Sequence, residues 1–167
     1  MEAAGAEHLD EVRDAYAYAR TVQLEQSGMG WPPFPDARIL AEIAAGQLHR
    51  LMDGDVLAGV VSVMHEDPLI WGDLERGAHL YLHRIARAPR YSRRGLADAL
   101  FAWARARCRA LGREGLRMDT WADNPKLIGL YERHGFHVVG HRRLFDERLP
   151  EHYQGVKLVL LEEGGSG

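Results

Sequence analysis

The chain has 167 residues, 46% of them hydrophobic and 27% charged, with 21 Lys and Arg against 24 Asp and Glu for a net charge of −3. That balance excludes the broad basic surface of a general nucleic-acid binder, and one cysteine, Cys108, excludes an internal disulfide or a thiolate zinc cluster. The chain opens on an acidic helical stretch rather than a targeting signal, and no long apolar run occurs, so a cytoplasmic protein without a membrane span is expected.

The segment HLDEVRDAYAYARTVQLEQSG reads as a helix, with Leu9, Val12, Tyr16, Ala19 and Val22 on one stripe and Gly28 near its end. The prolines of GMGWPPFP force an extended loop. DARILAEIAAGQ reads as a second helix, with Asp36 as N-cap and Gly46 as terminator. LHRLMDGDVLAGVVSVMHE reads as two strands joined at Asp53-Gly54, a hairpin signal. In AHLYLHRIARA, alternation places His79, Tyr81, His83 and Ile85 on one face and Leu80, Leu82, Arg84 and Ala86 on the other.

A turn follows, then a long helix over 95–111 closed by Gly112; its run LFAWARARCRALG makes Cys108 a packed thiol rather than a nucleophile. EGLRMDTWA reads as a strand, NPKLIGLYERHG as a short helix, and FHVVGHRRL and YQGVKLVLLE as two last strands. Alternating strands and helices imply an α/β (α+β) layer with one parallel pair around the long helix. A single domain over 1–162 is expected, with a flexible tail at 163–167.

The turn YSRRGLADAL is electrostatically odd. A helix N-terminus carries unpaired N–H groups and a positive dipole end, so Arg93 and Arg94 suit that place only if an anion is held there. A glycine-containing turn between strand and helix cradles phosphate oxygens, and Gly95 and Ala97 keep side chains small where a ligand would meet the backbone. The loop lacks the lysine order of a Walker loop and the glycine pairs of a dinucleotide fingerprint, which disfavours a nucleotide-binding protein. In the later block, Asn124, Leu127 or Ile128, Tyr131 and Gly135 share one helical face.

Over HRIARAPRYSRRGLADALFAWARA and DTWADNPKLIGLYERHGF, within about Gly59 to Leu160, the chain resembles the GNAT superfamily of acyl-CoA-dependent N-acyltransferases. The resemblance implies a single domain with a central mixed sheet, splayed parallel strands and flanking helices. It implies acetyl-CoA, or another short acyl-CoA, as the cofactor. Ser92, Arg93, Arg94, Gly95, Leu96 and Ala97 would grip its pyrophosphate; Ser92 stands where the family has Gln or Arg, and Arg93 is the candidate replacement. Ile85, Ala86 and Arg87 would pair with the pantetheine arm and offer a backbone N–H to the oxyanion. Asn124, with Leu127, would contact the pantetheine arm, and Tyr131 would lie beside the thioester sulfur and protonate the departing thiolate.

His79 and His83 have the spacing of a helical zinc pair, but on a strand they stand roughly 13 Å apart, so no metal is expected. The position of the family's glutamate base is occupied by Tyr81, a poor base at neutral pH. His83 is the better candidate, against the reading that it is merely packed or solvated; Glu66 and Asp67 are weaker alternatives. Trp31, Phe34 and Trp71 would wall an acceptor pocket for a small-molecule amine or peptide N-terminus, unless they are ordinary packing. The expected activity is direct acetyl transfer in a ternary complex, by a monomer or homodimer. The alternative is a catalytically silent acyl-CoA sensor on the same fold.

Overall fold

Local rules account for the helices first. The computed structural model describes residues 1–145, 147, 151 and 154–164. Helix α1 (Leu9–Ser27) buries Val12, Ala15 and Tyr16 and stops where Gly28 turns left-handed at φ +71°, a conformation nearly costless for glycine. Helix α2 (Asp36–Ala44) buries Ile39 and Ile43. Asp36, expected as its cap, is instead its first residue. Pro35, extended at ψ 145°, takes the cap position, and its carbonyl accepts from the N–H groups of Arg38 and Ile39.

Strands β2 (Leu48–Asp53) and β3 (Val56–Met64) form the expected antiparallel hairpin, turning on Gly54 at φ +60° and Asp55. A two-residue strand, β1 (Glu2–Ala3), also pairs with β2. Its anchor is Arg50, buried on β2, which donates to Glu2 Oε1 at 2.6 Å and to Glu11 Oε2 on α1 at 2.8 Å. A single-turn helix, α3 (Pro68–Trp71), follows β3, with the Asp67 side chain accepting from Ile70 N–H at 3.2 Å. Too short for periodicity to register, β1 and α3 leave no pattern in the sequence.

Strand β4 (His79–Arg87), helix α4 (Leu96–Ala110) and strand β5 (Gly115–Trp121) make the expected parallel unit, paired from His79↔Gly115 to Leu82↔Met118. Helix α5 (Pro125–Arg133) starts at Asn124, and β6 (Phe136–Leu144) and β7 (Val156–Glu163) complete a seven-stranded mixed sheet in the order β1-β2-β3-β4-β5-β7-β6. Glu163 still belongs to β7 and the Gly164 N–H donates to the Gly135 carbonyl at 3.0 Å, so the first two residues of the expected tail are tied to the fold; 165–167 lie outside the described residues. Among the described residues, no helix is long and apolar enough to cross a membrane.

The chain forms two compact units. The first comprises 1–63 and 83–100, with a core of Val12, Ala15, Tyr16, Ile39, Ile43, Leu48, Val60 and Ala86. The second comprises 64–82 and residues from 101 onward, and buries Trp71, Tyr81 and Leu160 together. It also packs Phe101 against Phe136 (5.1 Å between ring centroids) and, edge-on, against Tyr131 (6.1 Å). Cys108 is buried, as expected, and burial pushes its thiol above the ordinary range.

Phe101 is 1% exposed and its ring also meets the His134 imidazole at 4.9 Å. Phe101→Ala is expected to lower unfolding free energy by about 3–5 kcal/mol, and Phe101→Leu by well under half of that. Chemical denaturation of the two variants measures both.

Candidate functional site

In the first unit, the 91–97 turn forms one wall of a cavity of about 320 Å³. Arg93, Arg94, Gly95 and Leu96 line it from the turn, Ala99 from the first turn of α4, and Leu51, Met52, Asp53 and Ala58 from the β2–β3 hairpin. Gly95 has φ +89°, and a Cβ there would meet only Asp98 Oδ2, at 3.9 Å. The glycine is therefore required by its backbone angle and not by crowding. Its carbonyl accepts from Ala99 N–H at 3.0 Å, the first helical bond of α4. Helix geometry then leaves the N–H groups of Leu96 and Ala97 without intrahelical acceptors.

Ser92, Arg93, Arg94 and Gly95 are exposed; Leu96 and Ala97 are half-buried. The guanidinium of Arg93 is engaged, donating from Nη1 to Asp53 Oδ2 at 2.8 Å, and the Tyr91 hydroxyl donates to the same oxygen at 3.2 Å. Sequence reasoning missed Asp53 and Tyr91 at this site. Asp53 reads as a hairpin residue, and its partners at the turn lie 38 and 40 residues further along the chain.

The same unit holds a second polar group that the motifs did not flag. Arg84, on β4, is the only non-glycine residue with positive φ among the described residues, at +48°. Its Nη2 donates to Glu42 Oε2 on α2 at 2.7 Å and to Ser62 Oγ on β3 at 3.0 Å. Beside it stand two of the three aromatic residues expected at the acceptor pocket, Phe34 and Trp31. Phe34 packs against Tyr16 at 5.1 Å and Trp31 at 6.1 Å, and the Arg84 and Arg38 guanidinium carbons lie 5.6 and 5.0 Å from its ring. The loop is fixed to α1, with Arg20 Nε donating to the Trp31 carbonyl and Trp31 N–H donating to Gln23 Oε1. Further along β4, Ile85 is half-buried and Ala86 buried, while the exposed Arg87 donates to the Tyr18 hydroxyl at 2.8 Å.

In the second unit, Asn124 caps α5, with its Oδ1 accepting from Leu127 N–H at 3.1 Å. The capping bond uses the amide oxygen, and the Asn124 amide NH₂ is the donor end of the side chain. Leu127 is half-buried on the same helix, and Tyr131 is 8% exposed, held between Phe101 and Phe136. Burial, with a smaller contribution from Asp119, pushes the Tyr131 hydroxyl far above the ordinary phenol range. Tyr131 therefore keeps its proton at neutral pH, and in a proton transfer it can give a proton but not take one up.

Tyr81 is fully buried. Its hydroxyl accepts from Arg117 Nη1 at 3.2 Å, and burial together with Glu75 pushes its pKa up to about 12. Arg117 is pinned in turn, donating to Glu162 Oε2 at 2.7 Å and the Leu74 carbonyl at 2.8 Å, with its guanidinium carbon 4.4 Å from the Trp71 ring centroid. Trp71 is 1% exposed and belongs to the core cluster with Tyr81 and Leu160. His79, also buried, has Nε2 3.8 Å from Glu162, and burial holds its pKa below the ordinary value. His83, half-buried on β4, is hydrogen-bonded or otherwise partnered.

This architecture and these motifs have counterparts among known proteins. The uncharacterized N-acetyltransferase YesJ of Bacillus subtilis is 28% identical over 106 residues, which cover 61% of this chain and 59% of that protein; the match thus spans less than two thirds of the relative's length. An acetyltransferase of the GNAT family from Listeria monocytogenes matches with a TM-score of 0.72 at 20% identity, over 97% of this chain and 92% of that one. A Bacillus subtilis acetyltransferase solved in complex with CoA matches with a TM-score of 0.52 at 21% identity, over 70% and 74% of the two chains. These structural likenesses show a shared fold. The family model for acetyltransferases (GNAT) matches residues 15–136, from within α1 to the first residue of β6, and the chain belongs to that family.

Proposed function

We propose that this protein transfers an acetyl group from acetyl-CoA, or another short acyl-CoA, to a primary amine of a small molecule. The observation that carries the reading is the cavity at the start of α4, where Arg93, Arg94, a left-handed Gly95 and the first N–H groups of a helix converge. The CoA-bound relative from Bacillus subtilis supports the same cofactor class.

In this reading the 92–97 turn takes the pyrophosphate, and Asn124, Leu127 and the backbone of Ile85, Ala86 and Arg87 take the pantetheine arm. A backbone N–H among Ile85–Arg87 stabilises the oxyanion that forms when the amine attacks the thioester carbonyl. His83 accepts the amine proton, and Tyr131 donates a proton to the departing thiolate. Trp31 and Phe34 border the acceptor. The acyl group arrives already activated on the thioester, so the residues from 1 to 162 act as one acetyltransferase domain without a protein nucleophile, as a monomer or homodimer in the cytoplasm.

One observation favours a second reading, an acyl-CoA sensor without catalysis. Tyr81 replaces the carboxylate base the family uses on β4, and its hydroxyl is held by Arg117 with a pKa near 12. Thiol release from acetyl-CoA across a panel of primary amines separates the two; an enzyme turns over with at least one amine, and a sensor binds acetyl-CoA without release.

Two substitutions test the assignments. Gly95→Ala adds only backbone strain, since its Cβ meets open space apart from Asp98, and is expected to cost about 1–3 kcal/mol of stability. Gly95→Glu adds a negative charge to the cradle, so acetyl-CoA affinity measured by calorimetry is expected to fall much further than in the alanine variant. Unchanged affinity in a folded Gly95→Glu protein overturns the phosphate assignment.

Tyr131→Phe keeps the ring packing and removes the proton. Turnover is expected to fall by about 10²-fold with acetyl-CoA affinity and melting temperature nearly unchanged. Because burial keeps the hydroxyl protonated, the wild-type rate should show no alkaline decline from this group up to pH 10. A fully active phenylalanine variant removes Tyr131 from the mechanism.

A further inference from the structure

The geometry points to Arg84, with Tyr16, as a binding site for a carboxylate carried by the acceptor amine; the inference rests on the acetyltransferase reading above and narrows its substrate to aminocarboxylates with an apolar body.

Charge is the first observation. The Glu42 carboxylate accepts from both Arg84 (2.7 Å) and Arg38 Nε (3.2 Å), so two guanidinium groups share one anion and the cluster keeps one positive charge in excess. Arg84 and Glu42 side chains are only 14% and 13% exposed. The Arg38 side chain is 48% exposed, so the excess charge sits on the solvent side of the cluster, from which a second anion can approach.

Hydrogen bonding is the second. Arg84 Nε and the Tyr16 hydroxyl are buried donors, and neither has a hydrogen bond of normal geometry. They lie beside one another, for Arg84 lowers the Tyr16 pKa against the burial that raises it to about 12. If Nε gives its proton to the Tyr16 oxygen, the hydroxyl proton still lacks an acceptor. A carboxylate oxygen accepts from both, as buried donors require.

Backbone and surroundings supply the third. A non-glycine residue in the left-handed region stores strain, at a position the surrounding fold must enforce. Here it sets a guanidinium on the residue next to Ile85, one of the proposed oxyanion donors. Phe34 and Trp31 flank the cluster with aromatic surface. An acidic head on Arg84 and an apolar body against these rings describe an amino acid or a close analogue.

The test uses the whole protein saturated with CoA, which cannot turn over, and a panel of apolar and aromatic amino acids beside their decarboxylated amines and methyl esters. Binding is read by calorimetry. At least one amino acid is expected to bind about 10–100-fold tighter than both of its uncharged-carboxyl partners, the worth of a charge-assisted bond. Arg84→Lys, which keeps the charge and the tie to Glu42 but loses the planar fork, should reduce that ratio to within a few-fold of one. Tyr16→Phe, which leaves the packing intact, should reduce it by about 5-fold. CoA affinity of each variant serves as the control for folding. If no amino acid outbinds its decarboxylated partner, or if both variants retain the ratio, the inference is overturned. Thiol release from acetyl-CoA with the same panel is read separately. Preferred binding of the carboxylates without any release would retain this site while overturning the acetyltransferase reading.

Discussion

Burying a guanidinium on β4 is the constraint that organises the first compact unit. Stripping Arg84 of water costs several kcal/mol, repaid only by close partners. Those partners come from separate elements: Glu42 from α2, Ser62 from β3, and Phe34 from the loop between α1 and α2. The proline-rich loop, which no periodic pattern describes, is held to α1 by Arg20 and Gln23 and set against that cation. Two residues on, Ala86 lies in the apolar core with Val12, Ala15 and Ile39. One strand therefore presents a charged residue and a core residue to the same pair of helices. The left-handed angle at Arg84 is tolerated because so many contacts specify its place.

A different electrostatic logic governs the start of α4. The dipole and the unpaired N–H groups attract anions, and Arg93 and Arg94 add to that attraction. Asp53 opposes it. Its carboxylate already receives Arg93 and Tyr91, on a cavity wall where a phosphate would also compete for Arg93. Arg93 is 74% exposed and Asp53 37%, so this pair is worth little by itself and is readily exchanged. A strong anion can take Arg93 from Asp53 at small cost.

The legible parts of the fold were those written in short-range pattern. β6 runs from Phe136 to Leu144, as its residues suggest, and Asn124-Pro125 starts α5 because the capping side chain and the proline act within one turn. Gly95 reads from the sequence as a turn glycine ahead of α4, and its left-handed angle supplies the local reason for it. The rest depends on long-range register. Asp53 reaches Arg93 across 40 residues, and Arg84 reaches Glu42 across 42. Nothing local in either segment announces the partner. Trp71 shows a choice that only tertiary structure makes. The sequence groups it with Trp31 and Phe34 as a pocket wall or as ordinary packing, and α3 turns it inward under Arg117 and beside Tyr81.

Burial also divides the acid–base roles among the candidate residues. Tyr81 and Tyr131 are both held protonated, the first near 12 and the second higher still. A phenol in that state can donate a hydrogen bond or a proton but takes one up only at great cost. Tyr131 thus suits a departing thiolate, whose own pKa is far below that of the buried phenol; the transfer is uphill as a complete step and helps only as partial donation while charge develops. Tyr81 suits neither role, since its oxygen accepts from Arg117 and its hydroxyl is hydrogen-bonded to Glu75. The amine must therefore lose its proton elsewhere. On β4 the proposed proton acceptor is His83, and the remaining route is an amine that enters uncharged. An aminocarboxylate acceptor favours that second route, because its α-ammonium is more acidic than a simple alkylammonium. A site that selects the carboxylate thereby selects an amine that needs a weaker base than a simple alkylamine does.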